Sequence, residues 1–383
     1  MSRNGRILVA MSGGVDSTVA ALNLHESGYE VVGVTMKTWD YSSSGTSQKE
    51  TGCCSLDSIN DARNVAVRWK FHHIILDLRE EFEEHIIGNF VSEYLRGRTP
   101  NPCVLCNTYI KWEALLKRAD NLDCEFIATG HYAGLKKQNN RFYITKGIDE
   151  HKDQSYVLWG IEQRELARTI FPLGGFTKDE IKKTAISHGL EEIANKSESY
   201  EICFIPDNNY RRFLRHKAGN EINNLDNGKF ISTDGKILGY HRGYPFYTIG
   251  QRKGLGIAAD APLYVVEICP ENNTIVLGYE HELLQSAMRV TDLKMMKYES
   301  LEKEKEATIK IRYKDPGRNC LIIPEKDRNV YVHLKTPAHA ITPGQSAVFY
   351  EGIDIIGGGI IMKAFDDKIP AEQSQSITIT HEN

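Results

Sequence analysis

At 383 residues the chain is longer than one typical core fills, so two or three domains are expected. Its 41% hydrophobic and 26% charged content excludes a disordered or fibrous polymer. The formal net charge of −4 excludes a uniformly basic nucleic-acid coat but not a local basic groove, because counterion release depends on the charges that touch phosphate.

The first apolar run, Ile7 to Ala10, is far too short for a signal peptide, and no later run reaches the length of a membrane span. A cytoplasmic chain is expected, and there the eight cysteines read as core residues, metal ligands or catalysts. In chain order the apolar patterns predict a strand at 6–11, a helix at 17–25, a strand at 30–36 and a helix at 58–69. A strand at 73–78, helices at 82–95 and 110–119 and a strand at 126–129 follow. Strands alternating with helices predict an α/β unit built on a doubly wound parallel sheet, with ligands at the carboxyl ends of the strands. After about residue 205 the pattern changes. Residues 210–217 read as a basic helix, glycine-rich hairpin signals follow to about 256, and short β-type runs fill 307–313, 330–334, 346–350 and 355–362. The expected units are 1–205 for nucleotide binding and catalysis, a small central domain at 206–285 and a C-terminal all-β barrel at 286–383. Residues 42–47 read as a flexible loop and the tail after Pro370 as frayed.

The strongest motif joins the first strand to the first helix: Ala10, Met11, Ser12, Gly13, Gly14, Val15, Asp16 and Ser17. Two glycines let the backbone turn tightly and bring N–H groups against phosphate oxygens, and the two serines add hydroxyl donors. The helix that follows points its positive end at the anion, and Asp16 is placed to hold a Mg²⁺ bridging the phosphates. The motif lacks the Gly-Lys-[Ser/Thr] of a P-loop, so γ-phosphoryl transfer is not expected. It resembles the pyrophosphate loop of enzymes that split ATP into AMP and pyrophosphate. Met36 and Gly130 end strands that open on the same crevice.

Cys103 and Cys106 precede the helix predicted at 110–119, with Arg96, Arg98 and Lys111 nearby in sequence. Helix N-termini and cationic neighbours lower thiol pKa. A Cys-X-X-Cys by itself is open between a redox pair, a zinc site and a cluster site, and no second pair completes a zinc tetrad. Cys203 lies near the end of the first unit. Cys53 and Cys54 follow the flexible loop, while Cys124, Cys269 and Cys320 sit singly among apolar neighbours as core residues do. Basic residues cluster in 210–253 (Arg211, Arg212, Arg215, Lys217, Arg242, Arg252 and Lys253) and interleave with Tyr244, Phe246 and Tyr247. Such a mixture suits single-stranded or distorted RNA.

In order along the chain, motifs at 10–17, 99–111, 128–133, 152–156, 201–204, 247–256, 312–315 and 343–347 resemble those of the bacterial tRNA-specific 2-thiouridylases. The resemblance implies a sulfurtransferase that adenylates O2 of the wobble uridine, releases pyrophosphate and AMP, and leaves sulfur on C2. It implies ATP on residues 10–17, Met36 and Gly130, and Asn101, Pro102 and Cys103 facing the target base. It implies tRNA contacts from His131, Lys152, Asp153, Gln154, Arg312, Tyr313 and Gln345. Cys203 would carry a persulfide, and Cys106 would be the nucleophile that resolves it as a disulfide. Sulfur would come from a cysteine desulfurase or a relay protein, with no membrane or DNA role. One departure is Cys103, where the familiar pattern has aspartate, so the role given to that aspartate does not transfer directly. Cys103, Cys106 and Cys203 instead match the arrangement with which other tRNA thiolases hold a [4Fe–4S] cluster, which becomes the alternative to the persulfide and disulfide route. Two further readings compete: an amidotransferase-linked synthetase of the same loop class, and a non-catalytic tRNA-binding or sulfur-carrier protein.

Overall fold

The computed structural model describes residues 4–40, 55–196 and 202–366. The 42–47 loop, Cys53, Cys54, residues 197–201 of the Cys203 segment and the tail after Pro370 lie outside the described residues.

The first unit is a parallel sheet of β1 (Arg6–Ala10), β2 (Glu30–Lys37), β3 (His72–Asp77) and β4 (Phe126–Ala128), followed by a hairpin of β5 (Ala133–Gln138) and β6 (Arg141–Lys146) and by the short β7 (Thr169–Ile170). Strand order is β3-β2-β1-β4-β7, and every pair in it is parallel. Helices cover both faces, so β1 is buried on both sides, with Ile7, Leu8 and Val9 at 0% exposure. That is why it reads as an unbroken apolar run.

A four-stranded sheet follows, made of β8 (Gly228–Ser232), β9 (Ile237–His241), β10 (Tyr264–Cys269) and β11 (Thr274–Gly278) in the order β10-β11-β8-β9. The last unit comprises β12 (Leu284–Met295), β13 (Lys305–Lys310), β14 (Arg318–Pro324), β15 (Val330–His339), β16 (Ser346–Glu351) and β17 (Asp354–Phe365). Its order is β12-β15-β14-β13-β16-β17, and the pairing of β17 back onto β12 closes a six-stranded barrel around Met288, Val332, Phe349 and Ile356. The α/β, central and barrel architecture read from the sequence is what the chain adopts.

Two features that position the site depart from the sequence reading. The hairpin β5–β6 belongs to the first unit but extends the barrel's sheet, with Thr145 of β6 registered on Asp354 of β17. A single core therefore runs from Leu8 and Val34 through Val104, Trp112 and Tyr156 to Val348 and Tyr350 of the barrel. The helix predicted at 110–119 begins earlier, at Pro102, and runs to Asn121 through a π-helical stretch, Cys106–Ala114. Cys103 and Cys106 thus lie inside its opening turns, not before it.

The barrel carries a pH-sensitive knot at this junction. Hydrogen bonds from Lys297 and then Lys305 hold the Glu351 carboxyl at about 2, below its ordinary 4.5, and Lys297 also reaches Asp354 at 2.7 Å. A depressed folded-state pKa contributes stability in full above about 4.5, and that contribution is lost as pH falls through about 2. Glu351→Gln should therefore lower the unfolding temperature near neutrality, where the contribution is fully present, and flatten its acid-side fall so that the two proteins converge as pH approaches about 2. Melting curves of both proteins from pH 2 to 7 check this.

Candidate active site

The loop between β1 and the helix Val15–Glu26 is built as an anion cradle. Met11 N–H donates to the Val34 carbonyl at 2.8 Å, fixing the start of the loop to β2. Ser12 N–H donates to Ser17 Oγ at 3.0 Å, and Ser17 Oγ donates back to the Gly14 carbonyl at 3.1 Å. Gly13 has φ +71°, and a Cβ there would lie 2.1 Å from the Ser58 carbonyl oxygen. Gly14 is the helix N-cap and brings no side-chain cap. The first N–H groups of the helix are left pointing at the loop, the arrangement that binds phosphate. Gly130 packs against the same turn, for its Cβ would sit 2.7 Å from Ser17 N. The structure thus brings Ala10 to Ser17 and Gly130 together.

Asp16 is held by two residues that the sequence reading did not single out. Tyr132 Oη donates to Asp16 Oδ1 at 2.7 Å, and Lys178 Nζ donates to Oδ1 and Oδ2 at 2.7 and 2.8 Å. Lys178 opens the helix Lys178–Ser187, whose start is marked by a Thr177/Glu180 capping box. That box is legible in the sequence, but nothing local links Lys178 to Asp16 across 162 positions.

The cysteine helix starts where its sequence allows. Asn101 caps it, accepting from Cys103 N–H at 3.2 Å, and Pro102 takes the first helical position, where no N–H is needed. The barrel clamps the approach to this helix: Thr99 N–H donates to the Pro343 carbonyl at 2.9 Å, and the Gln345 amide donates to the Thr99 and Pro100 carbonyls at 2.9 and 3.2 Å. Gln345→Ala removes both side-chain bonds and should cost about 1–2 kcal/mol of stability. If it lets the loop drift, turnover should fall about tenfold while nucleotide affinity holds, which paired melting and single-turnover measurements would show.

Cys103 is exposed, Cys106 half-buried and Cys203 exposed. Solvent touches Cys103, yet enough protein surrounds its sulfur for desolvation to push the thiol pKa up, outweighing the lowering by Lys111. The expected lowering of that thiol by cationic neighbours is therefore corrected: burial of the charge wins. His131 is 6% exposed, its Nδ1 lies 2.8 Å from Thr129 Oγ1, and desolvation followed by the nearby Lys111 charge drives its pKa well below the usual value. It stands as a neutral, inward residue.

Phe204, 1% exposed, anchors the Cys203 segment in an aromatic cluster, with ring centroids 5.3 Å from Phe90 and 5.2 Å from Phe213. Cys106, Ile202 and Met36 all pack against this cluster, and Met36 also touches the core under the nucleotide sheet. The end of β2, the start of the cysteine helix and the 202–205 segment therefore share one wall. Among the described residues, no three Cys, His, Asp or Glu side chains converge closely enough to hold a metal ion.

The remaining expected contacts gather around Tyr156, at the seam with the barrel. Its hydroxyl donates to the Ser346 carbonyl at 2.9 Å, and the exposed Tyr313 ring meets its ring edge-on at 6.3 Å. Arg312 is exposed beside Tyr313 and Lys152 is half-buried. Gln154 Oε1 accepts from Tyr132 N–H at 3.0 Å. Asp153 is turned inward: its carboxylate accepts from Ser155 N–H and Oγ and lies 3.6 Å from Lys310 Nζ. The basic helix, Tyr210–Asn223, is largely spent on the protein itself: Arg212 pairs with Asp207, Lys217 with Glu83, and Arg215 lies 4.4 Å over Phe246. Arg242, Arg252 and Lys253 remain exposed.

Comparison with known proteins gives the same three-part division. Residues 5–207 match the tRNA methyl transferase HUP domain, 213–279 the tRNA methyl transferase PRC-barrel domain and 285–361 the aminomethyltransferase beta-barrel domain. The tRNA-specific 2-thiouridylase MnmA of Amoebophilus asiaticus is 57% identical over 95% of this chain and 96% of its own length. The proteins of the same name from Cytophaga hutchinsonii (57%, over 95% of this chain and 99% of that one) and Salinibacter ruber (53%, over 94% and 95%) are similar over as much. With this identity across nearly the whole chain, the protein belongs to the tRNA-specific 2-thiouridylase family.

Proposed function

We propose that this chain is a sulfurtransferase that uses ATP to thiolate C2 of the wobble uridine in tRNA. The observation that supports the proposal most is that Met36, Cys106 and Ile202 pack against one aromatic cluster, as a nucleotide crevice and two sulfur-handling segments opening on one space would require. The uracil C2 carbonyl is a poor electrophile, since oxide is not a viable leaving group. ATP on the 10–17 loop adenylates O2, and pyrophosphate departs into the N–H cradle. Asp16 would hold Mg²⁺, which supplies positive charge to the leaving phosphates. A persulfide on Cys203 delivers its outer sulfur to C2 as AMP leaves. The Cys106 thiolate takes the Cys203 sulfur as a disulfide, and an external dithiol reduces that bond before the next cycle. A cysteine desulfurase or relay protein would reload Cys203. The uridine must be unstacked to reach this space, with Asn101, Pro102 and Cys103 beside it and Arg312, Tyr313 and Lys152 toward the tRNA.

The inward carboxylate of Asp153 and the buried ring of His131 support roles in holding this surface, not in pairing with phosphate. The competing route is a [4Fe–4S] cluster held by Cys103, Cys106 and Cys203. Anaerobically purified protein is the test. Iron, acid-labile sulfide and ATP-dependent thiolation of tRNA are measured together. Thiolation by iron-free protein, with AMP and pyrophosphate formed only when tRNA is present, is expected. Activity that tracks about four irons per chain would replace the persulfide route with a cluster. Pyrophosphate release driven by a small molecule and not by tRNA would sink the function itself.

A further inference from the structure

The ion pair at Asp16 has a use beyond holding the fold. Lys178 Nζ meets both carboxylate oxygens of Asp16, at 2.7 and 2.8 Å, with only 8% of its side chain exposed, whereas Asp16 remains 32% exposed and open to the loop. A buried ion pair adds little net stability, because desolvating an ammonium costs about as much as the attraction returns. An apolar side chain at position 178 would fill the same space without that cost. The surroundings also fix the ammonium with care. Lys178 N–H donates to Asp149 Oδ2 at 2.9 Å, and Thr177 with Glu180 caps the helix so that the stem of Lys178 leaves from its first turn. Tyr132 Oη takes the near oxygen of Asp16 from the other side, and Gly130 presses the same turn from below. Three separate segments, the 12–17 loop, residues 129–132 and the start of the 178–187 helix, thus converge to place one cation beside an uncapped helix N-terminus.

We infer that Lys178 contacts the β- and γ-phosphates of ATP bound on the 12–17 loop, with Asp16 and Tyr132 holding its ammonium in position. This rests on the nucleotide reading above and names the residue that receives the leaving pyrophosphate. The loop contains no lysine of its own, so beside its N–H groups, its hydroxyls and a Mg²⁺ the loop offers the pyrophosphate no cationic side chain. Lys178 supplies the missing positive charge from a distant part of the chain.

Calorimetric titration of ATP and of AMP, each with Mg²⁺, into wild type and K178M tests the assignment. Loss of the cation should weaken ATP at least about tenfold, the worth of a charge-assisted contact, and leave AMP within about threefold, since AMP lacks the phosphates in question. K178R should recover most of the ATP preference. Equal weakening of both nucleotides, or of neither, overturns the inference and leaves Lys178 as a counter-ion of Asp16 alone. Should K178M fail to fold, acetylation of wild-type Lys178 followed by mass spectrometry gives the same reading. ATP and pyrophosphate should slow the modification and AMP should not, whereas equal rates with all three overturn the inference. A wild type that binds no ATP fails the nucleotide reading itself, but one that binds ATP beside an unchanged K178M fails only this residue.

Discussion

Cys203→Ser is expected to lower tRNA thiolation by at least about 10³-fold while tRNA-dependent pyrophosphate release survives. A serine hydroxyl cannot form a persulfide, yet nothing in the adenylation step uses this residue. Phe204 keeps the segment in the aromatic cluster whichever side chain occupies 203, so the variant should fold. Cys106→Ser should give a loss of similar size for a different reason: sulfur reaches Cys203 but its transfer has no thiolate to accept the second bond. Because the two act in one sequence, the double variant should be no worse than either single one. The readout is a pair of assays on the same samples, 2-thiouridine by mass spectrometry of digested tRNA and pyrophosphate by a coupled enzymatic assay. If Cys203→Ser keeps more than a tenth of wild-type thiolation, the persulfide assignment is wrong. If both products vanish together, the cysteine is needed for the fold or for adenylation.

What the sequence disclosed and what it hid follow from the range of each signal. The 10–17 loop could be read because its function is local: two glycines, two serines and a helix start within eight residues define the cradle. The strands 30–36 and 126–129 were legible as apolar runs because sheet burial acts on each residue directly. The early start of the cysteine helix was also written locally, in Asn101 as cap and Pro102 at the first position. Apolar periodicity over 110–119 masked it, since the π-helical stretch from Cys106 breaks the 3.6-residue spacing. The hairpin β5–β6 and its bond to β17 could not be foreseen, as pairing across more than 200 residues leaves no trace in either segment. The same holds for the Asp16–Lys178 pair and for the Gln345 clamp on the 99–100 backbone. The basic helix was misleading in the opposite sense: its charges were visible, but their partners Asp207 and Glu83 were set by tertiary packing.

Gly13→Ala should abolish nucleotide binding and destabilise the first unit, whereas Gly14→Ala should do neither to a comparable degree. The two glycines look equivalent in sequence and are not so in space. At Gly13 the backbone is left-handed, φ +71°, which costs an alanine about 1–2 kcal/mol. A methyl there would lie 2.1 Å from the Ser58 carbonyl oxygen, 2.7 Å from its carbon and 2.8 Å from its Cα. All three are backbone atoms, so no side chain can rotate away. The helix Leu56–Trp69 would have to retreat by more than an ångström, or the loop would have to lift from it, and overpacking of that kind adds about 1–3 kcal/mol. Together these amount to about 2–5 kcal/mol, against a loop whose N–H groups must face one anion. At Gly14 the backbone is extended, φ −91°, and the nearest neighbour of an added methyl is Ser12 Oγ at 3.5 Å, an ordinary contact. Its N–H stays where it is. Melting temperature and ATP titration of the two variants separate the cases. Equal behaviour of both alanines would mean that the loop rests on Ser58 less closely than its geometry requires, and the phosphate cradle would then have to be sought in its side chains instead of its backbone.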